Sequence, residues 1–190
     1  MRTMIEHLFK ITLFCYIFLF FSSNSFAQDS LLLFNQQKPV LKAVIITPGL
    51  AYEVPIGLRT SVYMQAGIGI GYQNLSRPYL VTTGILIVQP RFYYNYRKRL
   101  AAGKNTAGFA SNYIGFRGMA NGSFLKETLA SGETLALFGL HLAWGMQRNI
   151  GKRGFFYVEA GPHANFSEKS SFRVFPIGFF GGLGIKLGKL

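Results

Sequence analysis

Hydrophobic and polar residues alternate one by one along most of this chain. Side chains that alternate in this way point to opposite faces of a β-strand. Beyond residue 27 we find no run of 18 apolar residues and no long helical period. Seven segments carry the alternation, namely 41–54, 60–73, 82–96, 110–123, 133–148, 154–167 and 172–188. The pattern therefore predicts an all-β protein.

The two faces of each segment differ in side-chain size. In 60–73 one face reads Val62, Met64, Ala66, Ile68, Ile70, Tyr72, and the other reads Ser61, Tyr63, Gln65, Gly67, Gly69, Gly71, Gln73. In the last segment the bulky face includes Phe175, Ile177 and Phe179. Glycine weakens a strand, so a glycine at every second position needs a reason in the tertiary structure. We predict that these glycines face the narrow interior of a small barrel.

A closed barrel can use these two faces in opposite ways. A soluble barrel points its bulky face inward, whereas a membrane barrel points it toward lipid. The bulky face holds more volume than a small barrel interior accepts, and segments of about 14 to 17 residues exceed the roughly 9 to 11 that span a bilayer. We therefore predict an eight-stranded antiparallel up-and-down transmembrane β-barrel with a closed polar lumen. A soluble periplasmic ligand-binding barrel is the alternative.

An eighth strand follows from parity. Seven strands would leave the termini on opposite sides, whereas bacterial barrels have even strand numbers. We expect the eighth strand within Leu31–Lys38, with a turn around Pro39. Four prolines inside the proposed strands each remove a ladder hydrogen bond, so we expect bulges or strand ends there. They are Pro48, Pro90, Pro162 and Pro176.

The first 27 residues have the pattern of an export signal. A mixed-charge segment precedes an apolar run at 11–21, and the small residues Ser25 and Ala27 follow at the spacing of a cleavage site. The run is shorter than the about 20 residues of a membrane helix. We predict that a signal peptide at 1–27 is removed, which leaves a barrel domain at 28–190.

The chain is strongly basic, with 20 Lys and Arg against 7 Asp and Glu and a net charge of +13. Cleavage would remove Arg2, Lys10 and Glu6 and leave 18 − 6 = +12. Export argues against nucleic acid as a partner, so lipid phosphates are the expected counter-charge. The only cysteine, Cys15, would leave with the signal, so we expect no disulfide and no cysteine metal ligand.

Alternation also assigns candidate functional residues. Each Arg or Lys near the bilayer midplane would cost about 2 to 4 kcal/mol against lipid, so charged positions are predicted to face inward. The predicted lumen network comprises Glu53, Gln65, Arg91, Arg117, His141, Glu159, His163 and Lys186. We interpret it as ion pairs and hydrogen bonds in a plugged interior, with a proton or ion path as the alternative. Aromatic residues that end the apolar stripes are predicted at the membrane interface, namely Tyr52, Tyr72, Tyr94, Tyr96 and Trp144.

Connections between the segments predict an orientation. The short turns at 55–60 and 149–153, with the basic stretch that follows Tyr96, are expected on the periplasmic side. The connections at 74–81, 124–132 and 168–171 are expected outside. A basic group therefore lies at the periplasmic end, where it would meet phospholipid head groups or solvent; its members are Arg97, Lys98, Arg99, Lys104, Arg148, Lys152 and Arg153.

The chain resembles a known class of barrel. The stretch "PGLAYEVPIGLRTSVYMQAGIGIGY", with later strands ending in "GGLGIKLGKL", is similar to the small outer-membrane β-barrel domain family, which includes OmpX and the membrane domain of OmpA. Its most specific part is the Tyr52-Glu53 pair before a turn at Gly57. The resemblance covers about residues 40–190 and implies an integral outer-membrane location in a Gram-negative cell. Such barrels usually end in an aromatic residue read by the barrel assembly machinery, whereas this chain ends in Leu190.

The family does not imply one activity, because its members include structural, adhesive and enzymatic proteins. We expect a monomer with a structural or interaction role, in contact with outer-membrane lipids, lipopolysaccharide or an external partner, and without catalysis, cofactor or metal. A lipid A-modifying enzyme is the alternative. A deacylase would need a serine beside a histidine and an acidic orienter. Glu159 and His163 share a face but lie about 13 Å apart at 3.3 Å per residue.

Overall fold

The computed structural model describes residues 37–73, 79–123, 137–167 and 172–187. In these ranges the chain forms a closed antiparallel barrel whose eight strands are neighbours in sequence order. The strands are β1 (Val40–Val44), β2 (Gly49–Gly57), β3 (Thr60–Gln73), β4 (Tyr79–Phe92), β5 (Asn112–Ser123), β6 (Leu137–Ile150), β7 (Gly154–Ser167) and β8 (Arg173–Leu187). The predicted eight-stranded antiparallel barrel is confirmed. The predicted signal peptide lies outside the described residues.

The first two strands come from one predicted segment, 41–54. Residues 45–48 form a turn between them, and β1 pairs with β2 on one side and β8 on the other. The eighth strand therefore comes from this split. Of the predicted position at Leu31–Lys38 with its turn at Pro39, residues 37–39 are described and form neither strand nor turn, and residues 31–36 lie outside the described residues. The sequence pattern does not indicate this turn, because Ile45 and Ile46 are apolar, whereas turns usually carry glycine, asparagine or aspartate.

The β1–β2 hairpin is short, and among the described residues no strand fills the barrel wall beyond it. β1 has 5 residues and β2 has 9, whereas β3 has 14 and β8 has 15. At the hairpin turn, Ile45 N–H donates to Leu183 O and Ile68 N–H donates to Pro48 O, both at 2.8 Å. Beyond these bonds each strand has one neighbour among the described residues. The part of β3 from Ile68 onward pairs only with β4, and the part of β8 up to Gly182 pairs only with β7. We call this opening, between β3 68–73 and β8 173–182, the wall gap.

We call the end of the barrel with the hairpin turn the upper end. The lower end carries the β2–β3 and β6–β7 turns and the connection from β4 to β5. Val40 and Leu187, the outer ends of the first and last strands, lie there together, since Leu41 pairs with Leu187. The connections that the sequence predicts to share one side do share the lower end.

Three of the four prolines lie where the strands are irregular. Pro48 falls in the hairpin turn. Between Gly161 and His163 the register of β7 with β8 shifts by one residue, which places a bulge beside Pro162 and Pro176. Pro90 differs, because its register with β3 is continuous. Because Pro90 has no N–H, it is the pairing of β4 with β5 that is interrupted here. The pairs nearest to Pro90 are Val88 with Gly118 and Arg91 with Gly115.

The lower end is closed by the connection from β4 to β5. The chain forms a short helix, α1 (Tyr96–Ala101), and then returns across the barrel with Phe109 in the left-handed region at φ 68°. Tyr96 and Phe109 pack with Val40, Tyr93 and Tyr113 in a buried cluster. Tyr96 is only 3% exposed, which corrects its predicted place at the membrane interface: the alternation ends at the helix. Among the described residues no helix is long and apolar enough to cross a bilayer.

Candidate functional site: the barrel lumen

Large side chains fill the interior of the barrel. Tyr63, Tyr113, Phe155 and Tyr157 point inward and are at most 2% exposed. Glycines on neighbouring strands make room for these rings, since a Cβ added at Gly145 would overlap the ring of Tyr113. Tyr157 and Phe155 occupy the space beside the β8 glycines in the same way. The glycine periodicity thus marks an interior filled by the rings of neighbouring strands.

Two of the three alternating glycines of β3 can be described, and each makes a different close contact. A Cβ on Gly67 would lie 2.8 Å from the carbonyl oxygen of Pro48, because the hairpin turn presses on β3 there. A Cβ on Gly69 would lie 2.9 Å from Thr83 Oγ1 of β4. The surroundings of Gly71 lie outside the described residues.

Glu53 is the first of two carboxylates inside the barrel, and it is fully buried. It forms an ion pair with Lys42, whose Nζ lies 2.5 Å from Oε2. Ser61 Oγ donates to Oε1 at 2.7 Å, and the Tyr93 hydroxyl donates to the same oxygen. Arg91 NH1 lies 3.5 Å from Oε1. Two cations and two hydroxyls therefore compensate this carboxylate for its lost hydration.

Glu159 is the second carboxylate and is 2% exposed. Its Oε2 lies 2.6 Å from Arg117 NH2. Its Oε1 accepts hydrogen bonds from the Tyr113 hydroxyl at 2.5 Å and from Gln89 Nε2 at 3.0 Å, and Arg91 NH2 lies 3.5 Å away. This carboxylate too is enclosed by charged and polar donors.

Arg91 connects the two carboxylates. Its guanidinium lies between two rings, 4.0 Å from the centroid of Tyr63 and 4.5 Å from that of Tyr113, at distances where cation–π attraction acts. Its Nε and NH2 donate to Gln89 Oε1 at 3.0 and 2.9 Å. We call the set Lys42, Glu53, Gln89, Arg91, Arg117 and Glu159 the lumen network.

Other predicted lumen residues lie outside this network. Lys186 is 2% exposed but donates to Asn149 Oδ1 at 3.1 Å near the lower end, and none of the ion pairs among the described residues includes it. Gln65 accepts a 2.7 Å hydrogen bond from the Tyr63 hydroxyl. Gln147, which was not among the predicted residues, bonds Lys42 at 3.2 Å and the Gly108 carbonyl oxygen at 2.7 Å, and so ties the lumen to the lower connection.

The two histidines lie above the network in an aromatic cluster. Their ring centroids are 6.3 Å apart, and His141 Nδ1 lies 3.1 Å from the Pro162 carbonyl oxygen. His163 stacks on Phe175, with centroids 4.5 Å apart and planes 8° apart. Phe175 was predicted on the outer face, but the bulge beside Pro176 turns it inward. The ring centroid of Phe180 lies 4.7 Å from that of His141.

These residues line a small cavity of about 10 Å³, about the space of one water molecule. We call it the upper chamber; its side chains come from Arg117, Met119, His141, His163, Asn165 and Phe180. Four nitrogen atoms of its residues have no hydrogen-bond partner among the described residues, namely Arg117 Nε and NH2, His141 Nε2 and His163 Nδ1. Of these, Arg117 NH2 is in an ion pair with Glu159. Buried polar atoms are rarely left without a partner, so the other three are candidates to bind a ligand.

The sequence did not predict Lys42 in the lumen. If residues 41–54 formed one strand, Lys42 would share the outward face with Tyr52, and the hairpin turn resets this parity. A lysine facing lipid costs about 2 to 4 kcal/mol, so Lys42 was itself a sign that the segment is broken. Tyr63 lies on the face of β3 that was predicted to point inward, and it is buried there.

The interfacial aromatics divide into three groups. Tyr52, Tyr94 and Trp144 point outward, with exposures of 41%, 38% and 50%. Tyr96 is buried at the lower end, as described above. The side chain of Tyr72 lies outside the described ones.

Among the described residues, no group of three or more His, Cys, Asp or Glu side chains is arranged to hold a metal ion. Comparison of the chain with protein-family models, curated proteins and solved structures finds no match.

Proposed function

We propose that this chain is an integral outer-membrane β-barrel protein with a structural or interaction role. The observation that carries the proposal is the separation of charged and apolar side chains across the barrel wall. Six charged side chains of the described strands point inward and are buried, namely Lys42, Glu53, Arg91, Arg117, Glu159 and Lys186. The two others, Arg148 and Arg173, lie near strand ends.

The outer face is apolar where these charges are missing. Leu50, Leu86, Val88, Phe116 and Leu142 point outward and are each between 50% and 61% exposed. Continuous apolar surface on this scale indicates a partner, and the hydrocarbon of a bilayer suits a surface that encircles a barrel. The same arrangement argues against a soluble ligand-binding barrel, whose apolar side chains would point inward.

The apolar band also has the right height. On β6 the outward positions from Phe138 to Trp144 and Met146 are apolar, and the next, Arg148, is basic. The eight residue steps from 138 to 146 span about 26 Å along the strand, and Arg148 lies about 33 Å from Phe138. At a tilt of about 40° the apolar height is about 20 Å, and Arg148 lies about 25 Å from Phe138, at the border of a membrane barrel's apolar band.

A furrow on the outer face suits lipid chains. β5 presents the small residues Gly118 and Ala120 between the larger side chains of β4 and β6. The resulting groove has a volume of about 310 Å³ and is lined by Leu86, Val88, Met119, Phe138 and Leu140 besides these two. Since almost no polar atom lines it, disordered acyl chains fit it better than water does.

The charge of the described surface supports the orientation. The only carboxylates among the described residues are Glu53 and Glu159, both inside the barrel. Basic residues collect at the lower end; they are Lys38, Arg59, Arg97, Lys98, Arg99, Lys104, Arg148, Lys152 and Arg153. Such a ring suits the phosphates of a phospholipid leaflet, so we assign the lower end to the periplasmic side.

The proposal is tested by fractionation and gel mobility. The full chain is expressed in a Gram-negative host, and outer-membrane fractions are run on a denaturing gel with and without boiling. We expect recovery in this fraction and a band that shifts on boiling, because a closed barrel resists detergent until heated. Release of the protein without detergent would contradict the proposal and favour the soluble barrel.

A further inference from the structure

The wall gap is bordered by exposed apolar side chains. Phe179, on the β8 edge, is 80% exposed, and Ile177 beside it is 64% exposed. Below the gap, Ile45 and Ile46 of the hairpin turn are 58% and 67% exposed, and Ile68 on β3 is 47% exposed. Phe179 is the most exposed of the large hydrophobic residues that the structure describes. The border therefore suits a hydrocarbon chain.

Phe180 belongs both to the β8 edge of the gap and to the lining of the upper chamber. The hairpin turn bonds β8 at Leu183, and Phe180 is three residues above that point on the inward face. The other lining residues of the chamber, which include both histidines and Arg117, come from β5, β6 and β7. The opening is about 14 Å wide between the axes of β3 and β8, three steps of about 4.8 Å. A ligand that entered sideways would therefore meet Phe180 first, with the chamber beside it.

The chamber favours negative charge. Arg117 and His141 are each 3% exposed, and each has a nitrogen atom without a partner among the described residues. The carboxylate nearest to the chamber, Glu159, is held by Arg117 NH2. The inward-facing side chains comprise four cations (Lys42, Arg91, Arg117, Lys186) and two carboxylates (Glu53, Glu159), so the described lumen carries 4 − 2 = +2. A chamber with room for one water-sized group suits one oxygen of an anionic head group.

We infer that the wall gap and the upper chamber form a lateral binding site for a single-chain amphiphile with an anionic head group. A head-group oxygen binds Arg117 and the histidines, and the chain leaves through the gap against Phe179 and Ile68. A fatty acid carboxylate and a lysophospholipid phosphate share this chemistry. The inference rests on the proposed membrane location, because the gap opens sideways.

The test moves the single tryptophan to the gap. A Trp144→Phe, Phe179→Trp variant of the full chain is reconstituted in neutral phosphatidylcholine vesicles and titrated with three brominated quenchers: stearic acid, lysophosphatidic acid and monoacylglycerol. We expect at least one anionic probe to quench fluorescence at about tenfold lower mole fraction than the neutral probe, since a charge-assisted hydrogen bond contributes about this factor. The Arg117→Met change should abolish the difference. Made instead in the chain that keeps Trp144 and Phe179, it should leave the quenching of Trp144, which lies on β6 two strands from Phe179, unchanged.

The outcomes separate the ligands and the two proposals. A preference for stearic acid alone assigns a carboxylate ligand, and one for lysophosphatidic acid alone assigns a phosphate. The inference would be overturned by equal quenching by all three probes, or by a preference that survives Arg117→Met. It would also be overturned if no probe quenched because a polypeptide covers position 179. If Arg117→Met does not fold, His163→Phe replaces it, keeping the stack on Phe175 while removing the free nitrogen. A heat shift without a probe preference refutes only this inference; absence of the heat shift refutes the proposed membrane location.

Discussion

Trp144 and Tyr94 are joined on the outer surface by a hydrogen bond of 2.8 Å from the indole Nε1 to the phenol oxygen. Asn112 Nδ2 donates to the same oxygen at 3.2 Å. Tyr94 follows the lower end of β4, Asn112 begins β5, and Trp144 lies in the lower half of β6, so the group lies at the lower part of the apolar band. Tyrosine and tryptophan prefer this level of a membrane, because each has an apolar ring and a polar group. Since Trp144 is the only tryptophan of the chain, its fluorescence reports on this position alone.

The first prediction concerns the depth of Trp144. In vesicles whose lipids carry bromine at shallow, middle or deep acyl positions, we expect the shallow position to quench Trp144 most strongly. Boiled, unfolded protein provides the control, since its tryptophan has no fixed depth. Strongest quenching by the deepest bromines would contradict an interfacial position.

The second prediction concerns the basic lower end. We expect brominated phosphatidylglycerol to quench Trp144 more strongly than brominated phosphatidylcholine at equal mole fraction. Each basic residue near a charged surface contributes about 1 kcal/mol. Neutralising Arg97, Lys98 and Arg148 to glutamine should therefore remove most of the preference, and added salt should weaken it. The matched control is Arg173→Gln at the other end of the barrel, which should leave the preference intact; an equal loss there would refute the assignment of the lower end.

The barrel was predictable because the alternation has the two-residue period of a strand. A residue in β4, β5 or β7 faces inward or outward by its parity alone, so the sequence predicted the inward faces of Arg91, Arg117 and Glu159 without any knowledge of their partners. Parity is lost wherever a turn or bulge adds a residue. The apolar turn at Ile45 and Ile46 concealed the β1–β2 hairpin, and with it Lys42 and the wall gap.

The contacts of the candidate site could not be predicted in the same way. Which cation meets which carboxylate depends on the stagger between strands, which brings Arg117 of β5 to Glu159 of β7 across the lumen. The lower closure depends on the left-handed conformation of Phe109, a residue type that rarely adopts it. Neither property is expressed in alternation, so both required the three-dimensional arrangement.

The third prediction separates the lumen network from the lower lysine. Glu159→Gln leaves Arg91 and Arg117 without this carboxylate, and breaking a buried ion pair costs about 3 to 5 kcal/mol. Lys186→Met removes a buried cation whose Nζ, among the described residues, bonds only Asn149, so we expect a change within about 1 kcal/mol. Urea unfolding of both variants in the same detergent measures the two free energies. A smaller loss for Glu159→Gln than for Lys186→Met would show that the ion pairs do not stabilise the barrel.

The fourth prediction tests whether the glycines serve the rings beside them. At Gly145 a new Cβ would overlap the ring of Tyr113. That ring cannot easily shift, because its hydroxyl is hydrogen-bonded to Glu159. Overpacking of this kind costs about 1 to 3 kcal/mol, so Gly145→Ala should lower the free energy of unfolding by that amount.

Gly122→Ala on β5 is the matched control, since a Cβ there meets nothing within 4 Å. It should be neutral or stabilise the barrel by up to about 1 kcal/mol, because alanine restricts the unfolded chain. Adding Tyr113→Phe to Gly145→Ala should recover part of the loss, as the freed ring moves aside. If both alanine variants were equally destabilised, the cause would lie in the strands themselves rather than in the rings packed between them.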